Sequence, residues 1–234
     1  TLAVGDVARR AAMSLFRRVT GRSAISPVLS GKDEQGKPLS GHRHAFYLPT
    51  DDDGDGCIDH LTVWAQEGFD EEEAAALSAL RELAWGDGGA GRVGLVLLGV
   101  GGPERFGPPA RRLFGPATRW CSFSPFVLTR HPKWRPDGQG GESGRRLVDG
   151  PVEQLLREMR LRGYPQPSRV RLMRRPRPPG LASRVEFRRW RKTGPEPVGG
   201  AYGFEIEFED ACGGPLAFGY GAHYGLGLFL AQES

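Results

Sequence analysis

Two short apolar runs flank an acidic, glycine-rich turn between residues 42 and 65, and this arrangement restricts the local fold more than any other segment. The turn, residues 51–56, reads Asp-Asp-Asp-Gly-Asp-Gly. Asp and Gly favour turns because Asp hydrogen-bonds to nearby backbone and Gly adopts a positive φ without strain. We therefore predict two antiparallel strands, 42–48 and 58–65, joined across this turn.

Three of the five histidines of the chain, His42, His44 and His60, belong to this predicted strand pair. His42 and His44 are two residues apart, so a strand would present both on one face. Cleavage of RNA without a metal needs a base for the 2′-hydroxyl and an acid for the leaving 5′-oxygen, and imidazole suits both roles near neutral pH. The alternative is that each imidazole only hydrogen-bonds within the fold.

The acidic turn also matches the beginning of a calcium-binding EF-hand loop. Asp51, Asp53 and Asp55 occupy the first, third and fifth positions of such a loop, and Gly56 occupies the sixth. The last position, normally a bidentate Glu, is Thr62, and no helical pattern precedes the loop. A hairpin turn rich in Asp and Gly explains the same residues without a metal, and calcium on the three Asp residues is the alternative.

The cationic side chains of this chain are nearly all arginine. The net charge is +4, and only four of the 32 cations are Lys. Arginine contacts phosphate through two parallel hydrogen bonds, which is compatible with a nucleic-acid ligand. No apolar run approaches the roughly 20 residues that cross a bilayer. Three separated cysteines without a CxxC pair predict a reducing, cytoplasmic location without disulfides, and we expect no cofactor.

Apolar periodicity and turn residues divide the rest of the chain into helices and strands. Helices are predicted at 6–20, 70–85 and 151–162, the first two with Asp6 and Asp70 as caps. Further strands are predicted at 92–99, 118–128, 168–175, 184–191, 202–209 and 215–218, with a final apolar run at 226–231. This order indicates an α+β fold with antiparallel sheets, and tandem ferredoxin-like (RRM-like) βαββαβ units are the simplest arrangement.

The predicted division between the two units is a polar, glycine-rich stretch. Residues 1–134 would form the N-terminal ferredoxin-like half, which starts with an entry helix. Residues 151–234 would form the C-terminal ferredoxin-like half, which includes the glycine-rich end of the chain. Residues 135–150 are predicted to be a mobile loop between them.

A strongly basic segment extends from residue 168 to residue 192. It contains ten cationic side chains and a single acid, Glu186, with two aromatic side chains among the cations. On a strand, Arg169 and Arg171 would share one face. Phosphate contacts combined with base stacking use such a composition, which favours a nucleic-acid ligand. The alternative is a solvated sheet face.

Two further segments have compositions suited to RNA. Residues 218–229 alternate glycine with apolar residues, which allows the backbone to approach a ligand closely and offer its N–H groups. The alternative for this segment is a glycine-rich turn into a terminal strand. Residues 125–135 bring Arg130, His131 and Lys133 together just before the predicted loop, where binding residues often lie.

The end of the chain, residues 219–229, resembles the C-terminal glycine-rich loop of the RAMP superfamily, which are RNA-binding proteins of CRISPR systems with ferredoxin-like folds. An ordered set of motifs adds specificity, namely SGKD at 30–33, GHRHAFYLP at 41–49, DGDG at 53–56, IDH at 58–60 and SPFV at 124–127, followed by Arg130 and His131. The set is similar to the fused backbone-and-endoribonuclease protein of type I-U (also called I-G) CRISPR systems. The similarity extends over residues 7–231.

The resemblance implies that this chain is the C-terminal, repeat-processing endoribonuclease part of such an antiviral defence protein, with the N-terminal backbone half missing. It implies metal-independent cleavage of precursor CRISPR RNA within the repeat, to a 2′,3′-cyclic phosphate and a 5′-hydroxyl. The mature guide RNA would stay bound and nucleate assembly with the other subunits of a type I effector complex. Two alternatives are a non-catalytic RNA-binding subunit of that complex and a calcium-stabilised interaction domain.

The histidines are the catalytic candidates. His44 is the first choice, with His42 beside it and His60 across the hairpin, and His131 and His223 are held in reserve. The expected RNA-binding residues are Arg43, Arg130, Lys133, Arg169, Arg171, Arg174, Arg188, Arg189, Arg191, Gly221, His223 and Gly225.

Overall fold

The computed structural model of this chain describes residues 2–21, 25–33, 35–39, 41–86, 91–136, 145–173 and 200–232. It combines helices with antiparallel strand pairs, which confirms the predicted α+β class. The chain forms two compact units. Unit 1 comprises the chain up to Gly107 together with His223–Gly225, and unit 2 comprises Pro108–Ala222 and the chain from Leu226 onward. The stretch predicted to separate two halves, residues 135–150, lies within unit 2.

Unit 1 contains three α-helices and two strand pairs in its described residues. Its elements are α1 (Leu2–Thr20), α2 (Pro27–Ser30), β1 (Phe46–Thr50), β2 (His60–Trp64), α3 (Glu71–Ser78), β3 (Glu82–Trp85) and β4 (Gly91–Gly94). β1 pairs with β2, and β3 pairs with β4, both in the antiparallel sense. The strand pair predicted across the acidic turn is therefore confirmed, although β1 begins at Phe46 and not at residue 42.

The core of unit 1 forms where α1 packs against the strands. Val7 and Ala12 of α1 are buried in one cluster with Tyr47 of β1 and Leu83 of β3. Alanine side chains allow the helix to approach the strands closely, and Tyr47 is completely buried there. Burial raises the pKa of the Tyr47 hydroxyl, which stays neutral and donates a hydrogen bond to the carbonyl of Leu29 over 3.2 Å.

A buried carboxylate, Glu73, connects the beginnings of α2 and α3. Asp70 accepts a hydrogen bond from the amide of Glu73 (2.7 Å), and the Glu73 carboxylate accepts one from the amide of Asp70 (3.1 Å). This capping box confirms Asp70 as the cap of α3. The same carboxylate accepts a hydrogen bond from the hydroxyl of Ser26 (2.6 Å), and Ser26 caps α2 by accepting from the amide of Leu29.

The helix predicted at 70–85 is wrong in its second half. The leucines of this segment have helical spacing, yet α3 ends at Ser78. Leu83 is instead the buried residue of β3 and lies opposite Val93 of β4. Pairing with a later strand supplies backbone hydrogen bonds that the local apolar pattern does not reveal.

Two other predictions for unit 1 are wrong in extent. α1 begins at Leu2, so Asp6 lies inside the helix and pairs with Arg10 (Oδ2–Nε 3.6 Å) instead of capping it. The strand predicted at 92–99 ends at Gly94, and most of the apolar side chains that follow it are exposed.

Unit 2 is organised around a five-stranded antiparallel sheet. Its elements are α4 (Pro108–Phe114), β5 (Ala117–Ser122), β6 (Phe126–Val127), β7 (Lys133–Pro136), β8 (Arg145–Val148), α5 (Pro151–Leu161), β9 (Arg169–Met173), β10 (Ala201–Cys212) and β11 (Phe229–Ala231). β10 pairs with β5, β6 and β9, and β5 also pairs with β11. β7 and β8 form a separate antiparallel pair.

The core of unit 2 contains side chains of this sheet together with side chains of α5. Trp120 of β5, Phe204 of β10 and Phe229 of β11 are buried in one cluster with Leu155 and Met159 of α5. The burial of α5 on this side follows its apolar spacing, and the helix agrees closely with the one predicted at 151–162.

Several predictions for unit 2 need correction or lie outside the described residues. No helix was predicted between 85 and 151, yet Pro108 and Pro109 begin α4, because proline is favoured in the first turn of a helix. β8 occupies the end of the predicted loop 135–150, whose middle is not among the described residues. The strand predicted at 184–191 is also outside them. At 215–218 there is only an isolated bridge from Ala217 to Leu228.

Among the described residues, no helix combines the length and the apolar character that crossing a bilayer requires.

Candidate active site

The strand pair β1–β2 positions histidines at both of its ends. Phe46 lies opposite Trp64 at one end, and Thr50 lies opposite His60 at the other. The four residue-to-residue steps from Phe46 to Thr50 correspond to about 13 Å along the strand. His60 is therefore far along the hairpin from the two histidines that precede β1.

The two histidines before β1 contact a third, His223. Nδ1 of His42 lies 2.9 Å from Nε2 of His223. The rings of His44 and His223 are stacked, with centroids 3.6 Å apart and an interplanar angle of 14°. Phe46 also stacks on His223, at 3.9 Å between centroids. We call His42, His44 and His223 the histidine cluster. All three side chains are half-buried.

Close backbone contacts hold residues 223–225 in unit 1. Gly5 of α1 lies so close to Tyr224 that a β-carbon on Gly5 would come within 2.8 Å of the Tyr224 α-carbon. Gly225 has a φ of +85°, and a β-carbon there would lie 2.7 Å from Cδ of Pro49. Glycine is needed at both positions because any other residue would collide with backbone or with a rigid proline ring. The glycine-rich end of the chain therefore approaches protein closely at Gly225.

An arginine of α1 fixes the same segment from a second direction. The guanidinium of Arg9 lies over the ring of Tyr224, 5.8 Å from its centroid. It also donates a hydrogen bond to the carbonyl of Ser30 (2.8 Å), the last residue of α2. Arg9 thereby connects the neighbour of His223 to the residue before Gly31.

His44 is held against the backbone of Gly31. Gly31 ends α2 in the left-handed conformation, with a φ of +70°. A β-carbon on Gly31 would lie 2.8 Å from Cδ2 of His44 and 3.1 Å from its Nε2. Nδ1 of His44 is buried. The His44 ring therefore contacts both a glycine backbone and the His223 ring, and its position depends on the absence of a side chain at residue 31.

His42 has a backbone conformation that is uncommon for a residue with a side chain. Its φ is +56°, in the left-handed region. That region costs a non-glycine residue about 1–2 kcal/mol, and such conformations concentrate at functional sites. The prediction that residues 42–44 belong to a strand is wrong, yet both side chains still contact His223.

The hydrogen-bond partners of the cluster assign its protons. Nδ1 of His223 lies 3.3 Å from the carbonyl oxygen of Ala45, which can only accept, so this nitrogen carries the hydrogen. In neutral His223, Nε2 is then an acceptor and takes a hydrogen bond from Nδ1–H of His42. Neutral His42 consequently has its lone pair on Nε2. The hydrogen bond to His223 thus fixes the tautomer and the ring orientation of neutral His42.

His60 has a carboxylate partner. Its Nδ1 lies 2.6 Å from Oδ2 of Asp52, and the two side chains are 35% and 12% exposed. The carboxylate of Asp59 accepts hydrogen bonds from the amides of Asp52 (2.7 Å) and Asp53 (3.4 Å). His60 is thus tied to the acidic turn.

The acidic turn is closed by its own carboxylates. Asp51 accepts hydrogen bonds from the amides of Gly54 and Gly56 (2.7 and 2.9 Å), as expected of a turn rich in Asp and Gly. Carboxylate oxygens of Asp51, Asp53 and Asp59 lie within 4.8 Å of one another. Asp55, the third residue of the calcium alternative, instead accepts from the amide of Cys57 (2.6 Å).

The other catalytic candidate, His131, lies in unit 2. It lines an open cavity of about 730 Å³ together with Arg130 and Lys133, two of the expected RNA-binding residues. Arg43, in unit 1, is exposed and lies near the equally exposed Glu67 (Nε–Oε1 3.8 Å). Gly221 has a φ of +73° and precedes a 3-10 turn that contains His223.

The described part of the basic segment has acidic partners across the sheet. Arg169 and Arg171 are both exposed on β9, as predicted, but they lie opposite Glu207 and Glu205 of β10. Nε of Arg171 donates to Glu205 over 2.8 Å. Glu205 and Glu207 reduce the net positive charge around Arg169 and Arg171. Both lie outside the basic segment, which itself contains only one acid. The remaining predicted cations, Arg174, Arg188, Arg189 and Arg191, lie outside the described residues.

Sequence reasoning did not identify several residues that position the histidine cluster. Gly31 was noted only within a motif, and Arg9 and Phe46 were assigned no role. The left-handed C-cap of a short helix is a signal that could have identified Gly31. No sequence signal links Arg9 to residue 224, because that contact depends on the tertiary fold.

Comparison with protein-family models, with curated proteins and with solved structures finds no match to this chain.

Proposed function

We propose that this chain is a metal-independent, CRISPR-associated endoribonuclease that cleaves precursor CRISPR RNA within its repeat. The histidine cluster is the observation that carries the proposal, because Nδ1 of His42 and Nε2 of His223 are 2.9 Å apart and His44 is stacked on His223. Imidazole is the side chain best suited to give and take protons near neutral pH. RNA cleavage through the 2′-hydroxyl requires one group that accepts the hydroxyl proton and another that donates a proton to the leaving oxygen.

The proposed reaction is attack of the 2′-hydroxyl on the adjacent phosphorus. His42 accepts the hydroxyl proton at Nε2 while the 2′-oxygen forms a bond to phosphorus. The bond from phosphorus to the 5′-oxygen breaks, and protonated His44 donates its proton to that oxygen. The products are a 2′,3′-cyclic phosphate and a 5′-hydroxyl. His223 is a positioning residue that orients His42 through their hydrogen bond.

The finer fold and the partners belong to the same proposal. Antiparallel sheets with helices support a tandem ferredoxin-like architecture of the kind the resemblance implies. The mature guide RNA would stay bound to this cytoplasmic protein. The proposed protein partners are an N-terminal backbone half and the other subunits of a type I effector complex.

A non-catalytic RNA-binding subunit is the second candidate function. The stacking of His44 and Phe46 on His223 favours it, because stacked and half-buried rings also stabilise a fold without touching a substrate. The two candidates differ in one measurable property, which is whether RNA that binds is also cut.

The experiment that separates them is cleavage of a labelled cognate repeat RNA in EDTA by the wild type and by His44→Ala. His60→Ala is the matched control, since His60 lies in the same unit at the other end of β1. We expect cleavage by the wild type and by His60→Ala, and a loss of roughly 100-fold or more in His44→Ala. A 2′-deoxy sugar at the cut site should abolish cleavage by all three proteins.

Two results would contradict the proposal. Wild-type protein that binds the repeat RNA and never cuts it would favour the non-catalytic subunit. Cleavage that survives the 2′-deoxy substitution would exclude attack by the 2′-hydroxyl. If His44→Ala cuts normally while the 2′-deoxy sugar blocks the reaction, the enzyme class stands and His44 is not its acid.

A further inference from the structure

We propose a second RNA contact in unit 2, in which a phosphate binds in the basic cavity and a neighbouring base stacks on Trp134. The cavity of about 730 Å³ is within the size range of small-ligand sites and exceeds what a single phosphate group needs. The inference rests on the proposed function for its ligand class, RNA. It uses none of the residues of the histidine cluster, so the two can be tested separately.

Two cationic side chains of the cavity, with a histidine between them, are accessible to a phosphate. Arg130, His131 and Lys133 line the cavity and are exposed. The third cation, Arg157, is only 22% exposed and is paired with Asp149, which is equally shielded. The charges of Arg157 and Asp149 therefore neutralise each other. The accessible charge therefore favours an anion.

The remaining acid of the cavity, Glu153, has a structural role. Its carboxylate accepts a hydrogen bond from the amide of Gly150, the residue that precedes α5. Arg130 and Lys133 together outweigh this single carboxylate. One phosphate group is the anion that such a lining accommodates.

A buried glutamine fixes the wall that carries Arg130. The side chain of Gln154 is fully buried, and its amide donates to the carbonyls of Arg130 and Asp149, each over 2.8 Å. Its oxygen accepts from the amides of Thr129 and Arg130, each over 3.2 Å. The backbone on both sides of the cavity is therefore held in place before a ligand arrives, which lowers the entropic cost of binding.

An exposed tryptophan adjoins this cavity. Trp134 follows Lys133 on β7 and is 64% exposed. It lies opposite Leu147 of β8, while Lys133 lies opposite Val148, and both of these β8 residues line the cavity. An exposed indole ring on the strand that carries Lys133 provides a surface for base stacking, which tolerates any base because each has a flat aromatic face. Phosphate binding combined with base stacking suits a single-stranded nucleic acid, and the proposed function makes that ligand RNA.

The test is a salt titration of RNA binding with the full chain. Binding of fluorescein-labelled oligouridine with 2′-O-methyl sugars, which cannot be cleaved, is followed by anisotropy at several salt concentrations. The variants are Trp134→Leu and Arg130→Gln. Their matched controls are Trp85→Leu, an exposed tryptophan of β3, and Arg160→Gln, an exposed arginine of α5 that does not line the cavity.

We expect the two variants to fail in different ways. Trp134→Leu should weaken binding by about 5- to 100-fold without changing the salt dependence, because stacking releases no counterions. Arg130→Gln should weaken binding and reduce the slope of log K against log salt by about 1. Trp134→Phe should retain part of the affinity, which distinguishes lost stacking from a folding defect. Both controls should bind as the wild type does.

Several outcomes would overturn the inference. These are wild-type protein that does not bind the oligouridine, variants that bind with wild-type affinity and slope, and controls that weaken binding as much as the variants. The cleavage assay is independent of these results. If the wild type does not cleave RNA while Trp134→Leu and Arg130→Gln weaken binding as expected, the proposed enzyme is wrong and this site stands. If the wild type cleaves RNA while both variants bind normally, this site alone is wrong.

Discussion

The two ends of the β1–β2 strand pair carry the same kind of side chain in different settings. At the end that contains Thr50, His60 is partnered by the carboxylate of Asp52 at 2.6 Å. At the end that contains Phe46, His42 is partnered by another imidazole at 2.9 Å. An ionised carboxylate can only accept a hydrogen bond, whereas an imidazole nitrogen can donate or accept one, so the His42–His223 contact joins two groups that can each carry a proton. The same side chain therefore has a different chemical setting at each end, and the proposed cleavage uses only the end with the second imidazole.

The largest expected effect is on cleavage, and it distinguishes the two ends. His42→Ala and His44→Ala should each slow RNA cleavage by roughly 10²- to 10⁴-fold, the usual contribution of a general acid or base. His60→Ala should cleave at a rate close to that of the wild type. The measurement is the single-turnover rate on a cognate repeat RNA.

A modified substrate sharpens this prediction by separating the acid from the base. A 5′-sulfur leaving group needs no protonation, because a thiol is far more acidic than an alcohol. It should restore cleavage in His44→Ala and leave His42→Ala defective. Equal rescue of both variants, or of neither, would contradict the assigned roles.

A methyl group at Gly31 should disturb the histidine cluster without changing any histidine. Gly31→Ala places a β-carbon 2.8 Å from the His44 ring and strains a φ of +70°, so we expect a loss of about 1–3 kcal/mol in the free energy of unfolding and slower cleavage. Gly36→Ala is the matched control, since its φ is +75° with open space around it. The two variants are compared by urea denaturation and by their cleavage rates. If they are indistinguishable in both measurements, the contact between residue 31 and His44 is unimportant.

At the other end of the hairpin, the acidic turn should affect stability and not catalysis. Asp59→Ala removes the acceptor for the amides of Asp52 and Asp53, which should reduce the free energy of unfolding by about 1–2 kcal/mol. Asp55→Ala removes the acceptor for one amide and should cost less. Thermal melting with and without calcium also tests the metal alternative, which requires a calcium-dependent rise in Tm that Asp59→Ala abolishes.

The smallest expected effect is that of the His60–Asp52 pair on stability. The two side chains are partly accessible, so His60→Gln should change the free energy of unfolding by less than about 1 kcal/mol. Urea denaturation of His60→Gln and of Asp52→Asn measures this change in the free energy of unfolding. A cost of several kcal/mol would mean that this pair is a structural centre of unit 1.

Local patterns predicted the parts of the fold that local physics determines. The Asp-Gly turn predicted β1 and β2, Asp70 was correctly predicted as the cap of α3, and apolar spacing predicted α5. The same reasoning failed where a distant partner decides the structure. β3 forms from residues with helical spacing because β4 supplies its hydrogen bonds.

The candidate site shows the same limit. The sequence identified His42 and His44 as neighbours, but nothing in it indicated that their third partner would be His223 and not His60. The excess of positive charge on β9 was also overestimated, because Glu205 and Glu207 are 34 and 38 residues away from Arg171 and Arg169 in sequence yet lie opposite them in the sheet. Long-range pairing of this kind leaves no local trace in composition.

Residues 108–222 separate the two parts of unit 1 along the chain. During synthesis His42 and His44 leave the ribosome first, and His223, which contacts His42, follows only after the whole of that intervening segment. A polypeptide interrupted at Gly107 would contain the base and the acid proposed here but no group to align them. If His42 and His44 act as proposed, a chain that stops at Gly107 should cleave RNA more slowly than the full chain, because it lacks the imidazole that contacts His42.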